Sequence, residues 1–590
     1  MELKNKIDLK KIKQRYTELY SEKSKWVGLW NDIGRFIRIE KQNLGADDPA
    51  TNGNNIDQDI NDPSSVLSIS ASASNLYGIF IGDGNFISLE PSEETEQDGE
   101  ISDEVKDYLE FVSKRILKEL NSENANFKKC FLEHLKDQQT FGTSGIGEFI
   151  SNDYIEGKSE NVFDFMSFGV DNITIDEGRN GLIDTIYVNY NWRINKIVNT
   201  FCLEDGKFSD EKFNALPDKL KKSYENNPND RYNVYLAIVD NEFFKRGTIG
   251  KLSAKYMGIW YIDNIDYILD LEFYKNMPIH IVRADKLRGE IYGRADGTKC
   301  LSSVKLLNYL MGEAIEVIEK FTKPANAIVD GSLTGDKVID TTPGSWTAIK
   351  LPSGVSNPIF PLEDVKDPTA LIQVLIPYLR ENISTAFKTD ILLDMNSQTA
   401  KSATEVLKRY DIRSKMLYSI LFQQINELIY PMIENMVDIL YNLGEIGHET
   451  APIGMEQNDS SRNILIPEVI QKLQRNNKKW YKIKFNSEVY KMQRSGELEN
   501  ISQFMIQITS LSQFYPDAIQ MVDWYKILAK IENLLNGGES YLISKSEYET
   551  IKQGIQDAQA QAAMSQNALM NSQVNSNNAN AINKLSQTIL

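Results

Sequence analysis

Residues 291–310 read "IYGRADGTKCLSSVKLLNYL", and the character of the chain changes in the middle of this run. Its first half offers a Gly, three residues, a second Gly, then Thr and Lys, an outline close to a phosphate-binding loop. Such a loop needs four residues between its glycines, a Lys directly after the second, and then a hydroxyl to hold magnesium. Here Gly293 and Gly297 are separated by three residues, Thr298 precedes Lys299, and Cys300 stands where the hydroxyl is required. The geometry cannot wrap a triphosphate, and "GSLTGDK" at 331–337 fails in the same way. What remains is a glycine-bearing turn that delivers a strand-rich region into a long helix.

Downstream, Leu301, Val304, Leu307, Leu310 or Met311, Ile315, Ile318 and Phe321 mark one helical face, with Lys305, Asn308, Glu313, Glu316 and Glu319 on the others. At 1.5 Å per residue this helix spans about 30 Å, and it stops before Pro324. Residues 324–362 are short-stranded and rich in Gly and Pro. A second helix enters at Asp367-Pro368, a cap followed by Pro at the first helical position, and runs to about Lys388 with a kink or break at Pro377. Residues 389–401, "TDILLDMNSQTAK", carry no periodicity. Ser402 and Glu405 then form a capping box that opens a helix of nearly forty residues, bent at Pro431.

Upstream, residues 7–38 are a helix whose apolar stripe, Leu9, Ile12, Tyr16, Leu19, Trp26, Trp30, Ile33 and Ile37, is broken only at Lys23. Trp26 and Trp30 at this spacing face a core. "SSVLSISASASNLYGIF" is a helix with a small-residue face, a third helix covers about 103–120, and "FGTSGIGEFI" at 141–150 is a tight turn into a strand. Glu177 to Gly181 separate two alternating apolar runs and write a hairpin. "YNVYLAIVD", "YMGIWYID", "DYILDLEFY" and "MPIHIVR" continue as successive antiparallel strands. "WYKIKFNS" at 480–487 is a further strand, followed by helices over about 489–510 and 515–536 and a last one opened by Ser546 and Glu549. The tail beyond is Gln/Asn-rich and of low complexity.

Composition narrows the function. A net charge of −18 on 590 residues argues against tight nucleic-acid binding, which depends on a basic patch, while leaving room for loose contact with DNA that must slide. Cys130, Cys202 and Cys300 are far apart, so neither a disulfide framework nor a Cys-x-x-Cys metal site is written. No run approaches eighteen apolar residues and the charged N-terminus lacks a signal-peptide core, from which a soluble, unexported protein is expected. Asp171, Asp176, Glu177 and Asp184 lack calcium-loop spacing, so no metal is expected. His134, His280 and His448 fall in different elements, and no nucleophile elbow, zinc-protease pair or dinucleotide fingerprint occurs. No cofactor and no enzymatic activity are expected.

The order of elements, together with "FGTSGIGEF", "FDFMSFGVDNITIDEGRNGLIDTIYVNY", "MPIHIVRADKLRGEIYGRADG" leading into "LSSVKLLNYL", and "KSATEVLKRYDIR", resembles the portal proteins, or head-to-tail connectors, of short-tailed double-stranded DNA phages, over about residues 10–550. The resemblance implies an α+β portal-type fold. Residues 1–300 and 402–535 become a mixed wing, 301–321 and 367–388 a two-helix stem, 322–366 a small β clip, 389–401 a tunnel loop and 536–590 a helical crown with a flexible tail; a long C-terminal barrel is not expected. "YGRADG" becomes the elbow of wing and stem, where Gly293 and Gly297 allow unusual backbone angles and Arg294 pairs with Asp296, with a neighbouring subunit, or as an ordinary surface residue.

The resemblance further implies a homo-oligomeric ring, a dodecamer in the family, around a DNA channel at one capsid vertex. A packaging ATPase (terminase) and later tail adaptors dock at the clip, represented by Lys337, Trp346 and Lys350. Major capsid and scaffolding proteins are neighbours, no membrane is involved, and assembly takes place in the host cytoplasm. Tunnel-loop residues Lys388, Asp390, Asp394, Asn396 and Lys401 meet DNA weakly and non-specifically, the two cations touching phosphates in passing. Two alternatives stay open. One is an enzyme with scattered carboxylates, marked by a pocket holding a shifted acid pair. The other is a tail adaptor or scaffold, which the length and the β-rich stretch at 160–285 disfavour.

Overall fold

In the computed structural model the described residues are 4–39, 41, 61–95 except 83, 102–245 except 205–206, 253–322, 326–328, 353–354, 359–361, 369–389, 420–448, 464–486 except 477, 501–511, and isolated positions between 515 and 578. The chain divides into two units, Met1–Lys484 and Phe485–Leu590. In the second, residues 501–511 are helical.

The first unit is α+β. A five-stranded antiparallel sheet has the spatial order Tyr267–Tyr274, Tyr256–Ile262, Arg231–Asp240, Ile183–Arg193, Ile173–Glu177. The hairpin written around Glu177 to Gly181 is its last pair, closed by Gly181 at φ 76°. Helix Leu9–Phe36 crosses this sheet. Ile12, Tyr16 and Leu19 pack with Tyr187, Tyr235 and Tyr261 on one face, while Trp30, Ile33 and Ile37 enter the main core. The gap expected at Lys23 does not exist in space. Lys23 is buried, its ammonium donates to the Ile173 carbonyl at 2.8 Å, and burial pulls its pKa down to about 8.

The strand Ile279–Arg283 does not extend the meander that precedes it. It leaves for a three-stranded antiparallel sheet, pairing with Thr143–Ile150, which in turn pairs with Phe163–Gly169. Gly145 and Gly147 make this possible, because a Cβ on Gly145 would lie 2.5 Å from the His280 carbonyl oxygen and one on Gly147 2.6 Å from the Phe168 ring. Helix Phe127–Phe141 packs on this sheet and on helix Ser64–Ile81. The latter helix is apolar enough by length and composition to cross a membrane, yet Ser68, Ile69, Ser72, Ala73 and Leu76 are buried inside the protein.

Two long helices follow. The first spans Asp296–Thr322, starting five residues before the periodicity suggested, and the second spans Thr369–Ala386 without a break at Pro377. Between them, Asn326–Ile328 pairs antiparallel with Ile359–Pro361. The capping pairs at Asp367 and Ser402 lie outside the described residues, as do Ser546 and Glu549. Near Pro431, where a bend was expected, a π turn, Ile425–Ile429, immediately precedes helix Tyr430–Leu443. Pro431 has no N–H for the carbonyl four residues back, so the ladder widens there.

Candidate functional site

The turn at 291–297, expected to be an elbow, is built by three glycines from two distant stretches. Gly142, at φ 87°, caps helix Phe127–Phe141 and turns the chain into strand Thr143–Ile150. The returning segment lays Gly293 against it: a Cβ on Gly293 would sit 2.4 Å from the Ala284 oxygen and 2.5 Å from the Gly142 oxygen, and one on Gly142 2.4 Å from the Gly293 oxygen. A Cβ on Gly297 would lie 2.4 Å from the Thr140 oxygen. Neither Gly293 nor Gly297 has a positive φ. Their role is close backbone approach and not the unusual angles that sequence reading assigned to them. Backbone bonds lock the crossing, with Ala284 N donating to Gly142 O at 2.8 Å, Arg294 N to Ala284 O at 2.7 Å and Gly293 N to Thr143 Oγ1 at 2.8 Å.

Arg294 and Asp296 are near the crossing but do not pair. The Arg294 guanidinium makes a two-pronged contact with Glu290 at 3.0 and 2.6 Å and lies over the Trp26 ring, 5.2 Å from its centroid. Trp26 stacks on Trp30, whose edge meets Tyr292 at 5.2 Å, so the elbow is wedged against the first helix by aromatic packing. Asp296, the first residue of its helix, accepts from Lys299 at 2.9 Å and from Lys388. A carboxylate at a helix N-terminus is favourably placed against the helix dipole.

Lys388 follows the second long helix in a left-handed conformation, φ 57°. Its contact with Asp296 joins the end of one helix to the start of the other, while Asn326 pairs with Pro361 at the opposite end. The two helices therefore run antiparallel. Val304, Leu307, Ala314, Ile376, Leu379 and Ile383 are buried between them and the remainder of the unit. Leu306, Tyr309, Ile315, Ile318 and Phe321 on the first, and Val374 and Tyr378 on the second, are exposed, Tyr309 by 62% and Val374 by 71%. At 3.6 residues per turn, Tyr309 lies opposite the buried stripe of its helix, whereas Ile315, Ile318 and Phe321 continue that stripe past the point where the chain covers it. Seven large apolar side chains in water on one helix pair exceed scattered surface exposure. Of the other residues singled out from sequence, Asp390, Asp394, Asn396, Lys401, Lys337, Trp346 and Lys350 lie outside the described residues.

Residues resembling catalytic groupings occur, and most are buried. Ser144 Oγ lies 2.7 Å from His134 Nδ1, and His134 Nε2 lies 2.9 Å from Gln424 Oε1, but all three are sealed in the core. Burial pulls the His134 pKa down to about 4 against the hydrogen bond it makes to the Gln424 oxygen. His280 meets Glu148 at 3.0 Å, and the same carboxylate accepts from Asn435; burial pushes the Glu148 carboxyl up. Glu177, considered for calcium, instead accepts from Arg283 at 2.8 Å and from Lys286. Burial would push its pKa up, and these two cations outweigh it and hold it low. No group of three metal-ligating side chains occurs among the described residues. An open polar cleft of about 700 Å³ is lined by Glu123, Asp153, Lys158 and Asp164, among others; burial pushes the Asp164 carboxyl up and the Asp153 charge adds to it. Ser122, Ser151 and Ser159 also line it, and no histidine or cysteine is among its lining residues.

Sequence reading missed Gly142 as half of the elbow, having assigned it only to a turn. It also missed Asp62, Asn308 and Arg380, whose only sequence signal is the Asp two residues before a Ser-rich helix start.

The family model described as bacteriophage head to tail connecting protein matches residues 9–542. The portal protein of Salmonella phage epsilon15 is 20% identical over 473 residues, covering 79% of this chain and 76% of that relative. Two solved structures, the virion of a native gene transfer agent particle and the neck of an empty one, are each 9% identical over 68% of this chain and 89% of theirs, with TM-scores of 0.29 and 0.30. Likeness of that size carries no argument about this fold. The family match runs unbroken across the first helix, both sheets, the elbow and both long helices, and on that ground the chain belongs to the bacteriophage head-to-tail connecting proteins.

Proposed function

We propose that this connector forms a closed ring at one capsid vertex and that the genome enters and leaves through its centre. The observation that carries the reading is the connector-family match over residues 9–542. The antiparallel helix pair supports it, because apolar side chains exposed on more than one side suit a subunit flanked by two neighbours through two different faces, as a heterologous ring requires. In this reading residues 296–322 and 369–386 are the stem, the intervening segment is the clip, 389–401 is the tunnel loop, the sheets and flanking helices are the wing, and the C-terminal residues are the crown. Twelve subunits are the expected number.

The ring holds DNA weakly. Among the described residues, the cations at the elbow are already engaged: Lys299 with Asp285 and Asp296, Lys388 with Asp296. Lys388 would have to exchange Asp296 for a phosphate, which limits it to transient contact. The packaging ATPase and then tail adaptors dock at the clip, capsid and scaffolding proteins surround the wing, and assembly takes place in the host cytoplasm before incorporation into the virion. The chain performs no chemistry of its own. Electron microscopy of the purified protein tests the reading: centrally perforated rings with a duplex-wide hole are expected, and a monomer that stays monomeric at high concentration, with scaffold added, overturns it.

A further inference from the structure

Asp62 precedes helix Ser64–Ile81 and is buried in spite of its charge. One carboxylate oxygen accepts from the backbone N–H of Ser64, the first residue of the helix, at 2.9 Å and from its hydroxyl. The other accepts both Nε and Nη2 of Arg380, at 3.0 and 2.6 Å, from the second long helix. The backbone N–H of Asp62 donates to Asn308 Oδ1 at 3.1 Å on the first long helix, and Asn308 Nδ2 returns a bond of 2.8 Å to Asn61. Three helices thus converge on two consecutive residues. The partners on the two long helices are 246 to 318 positions away in sequence, so those bonds, unlike the ones to Ser64, do not serve local folding.

Burial alone would raise the Asp62 carboxyl, and its bonds to Ser64 and Arg380 outweigh this and hold it ionised. Separating the pair is costly on the Asp62 side, because the buried carboxylate would keep its charge without a partner, whereas the half-exposed Arg380 guanidinium would be taken up by water. Arg380 lies two turns before Lys388, the second tie between the helix pair and the elbow.

We propose that Asp62 is a strut that couples both long helices to helix Ser64–Ile81, so that a rotation imposed on the helix pair is passed into the body of the protein instead of being absorbed at the elbow. The geometry lies within one chain and can be tested on the subunit whether or not rings form. The variant is Arg380→Met, which keeps the apolar stem and leaves the Asp62 bonds to Ser64 untouched; Asp62→Ala is the second variant, with circular dichroism as the check on folding. The readout is amide hydrogen exchange of the full-length protein. Loss of one charge-assisted pair predicts exchange about tenfold faster. For Arg380→Met this acceleration is expected within the second helix and also at residues 64–68 and 304–311, on the two other helices tied to Asn61 and Asp62. Acceleration confined to residues 369–386, or none at all, overturns the proposal and makes Arg380–Asp62 a local pair.

Discussion

Replacing Gly293 by Ala isolates the physical requirement of the elbow in one methyl group. The new Cβ would meet Ala284 O at 2.4 Å, Gly142 O at 2.5 Å and Ala284 N at 2.6 Å. All three are backbone atoms, which cannot rotate aside as a side chain can. Overpacking of this kind costs about 1–3 kcal/mol. Relieving it by separating the strands strains the bonds from Ala284 N to Gly142 O and from Arg294 N to Ala284 O, each worth about 1 kcal/mol net. We expect Gly293→Ala to lose about 3 kcal/mol, read as a lowered urea midpoint at unchanged slope in the unassembled subunit. Two controls separate contact from conformation. Gly289 has φ 84° and open space around its Cβ position, so Gly289→Ala should cost only the left-handed strain of about 1–2 kcal/mol. Gly28 lies inside helix Leu9–Phe36 with nothing within 4 Å, and Gly28→Ala should stabilise by up to about 1 kcal/mol through helix propensity. If Gly293→Ala costs no more than Gly289→Ala, the crossing is not the tight backbone contact described above, and the reasoning about the elbow fails.

Three other predictions follow from different parts of the molecule. Burial lowers the His134 pKa from 6.5 to about 4, so the folded state refuses a proton that the unfolded chain accepts; stability is complete above pH 6.5 and falls toward pH 4, by about 3 kcal/mol in all. Urea titrations at pH 7, 5.5 and 4.5 should show this fall, and His134→Gln should flatten it; an unchanged slope in the variant would assign the acid sensitivity elsewhere. Tyr309→Glu places a charge on the exposed side of the first long helix and should leave the monomer's melting temperature unchanged while lowering the ring fraction seen by light scattering at least tenfold; intact rings would show that Tyr309 faces solvent in the assembly. Deleting residues 390–400 should permit ring assembly and impair completion of DNA packaging, and a failure confined to assembly would make that segment a subunit contact.

The separation between legible and illegible features runs through particular residues. Periodicity located helices Leu9–Phe36, Asp103–Asn121 and Asp296–Thr322 and the hairpin ending in Ile183–Arg193, because repeats of 3.6 and 2 record which side chains seek burial. Trp26 and Trp30 were legible as core residues for the same reason. The phosphate loop was excluded by spacing alone, and no contact in the structure was needed for that. Where the sequence reading erred, the missing information was a partner. Alternation marks Ile279–Arg283 as a buried strand but cannot say that it abandons its neighbours for Thr143–Ile150. Likewise, Lys23 interrupts a stripe on paper, and only the Ile173 carbonyl above it explains why it can be buried.

By itself, then, the amino-acid order determined the kinds and succession of elements, the absence of familiar catalytic spacings, and the resemblance from which a connector was expected. Tertiary structure decided which glycines touch, that Arg294 turns to Glu290 and Asp296 to Lys388, and that Asp62 gathers three helices. The physical reason is range: burial preference and backbone propensity act over a few residues and leave a periodic trace, whereas strand partners, charge pairs and close backbone crossings depend on which distant segments the whole fold brings within about 3 Å, and that distance leaves no trace in spacing.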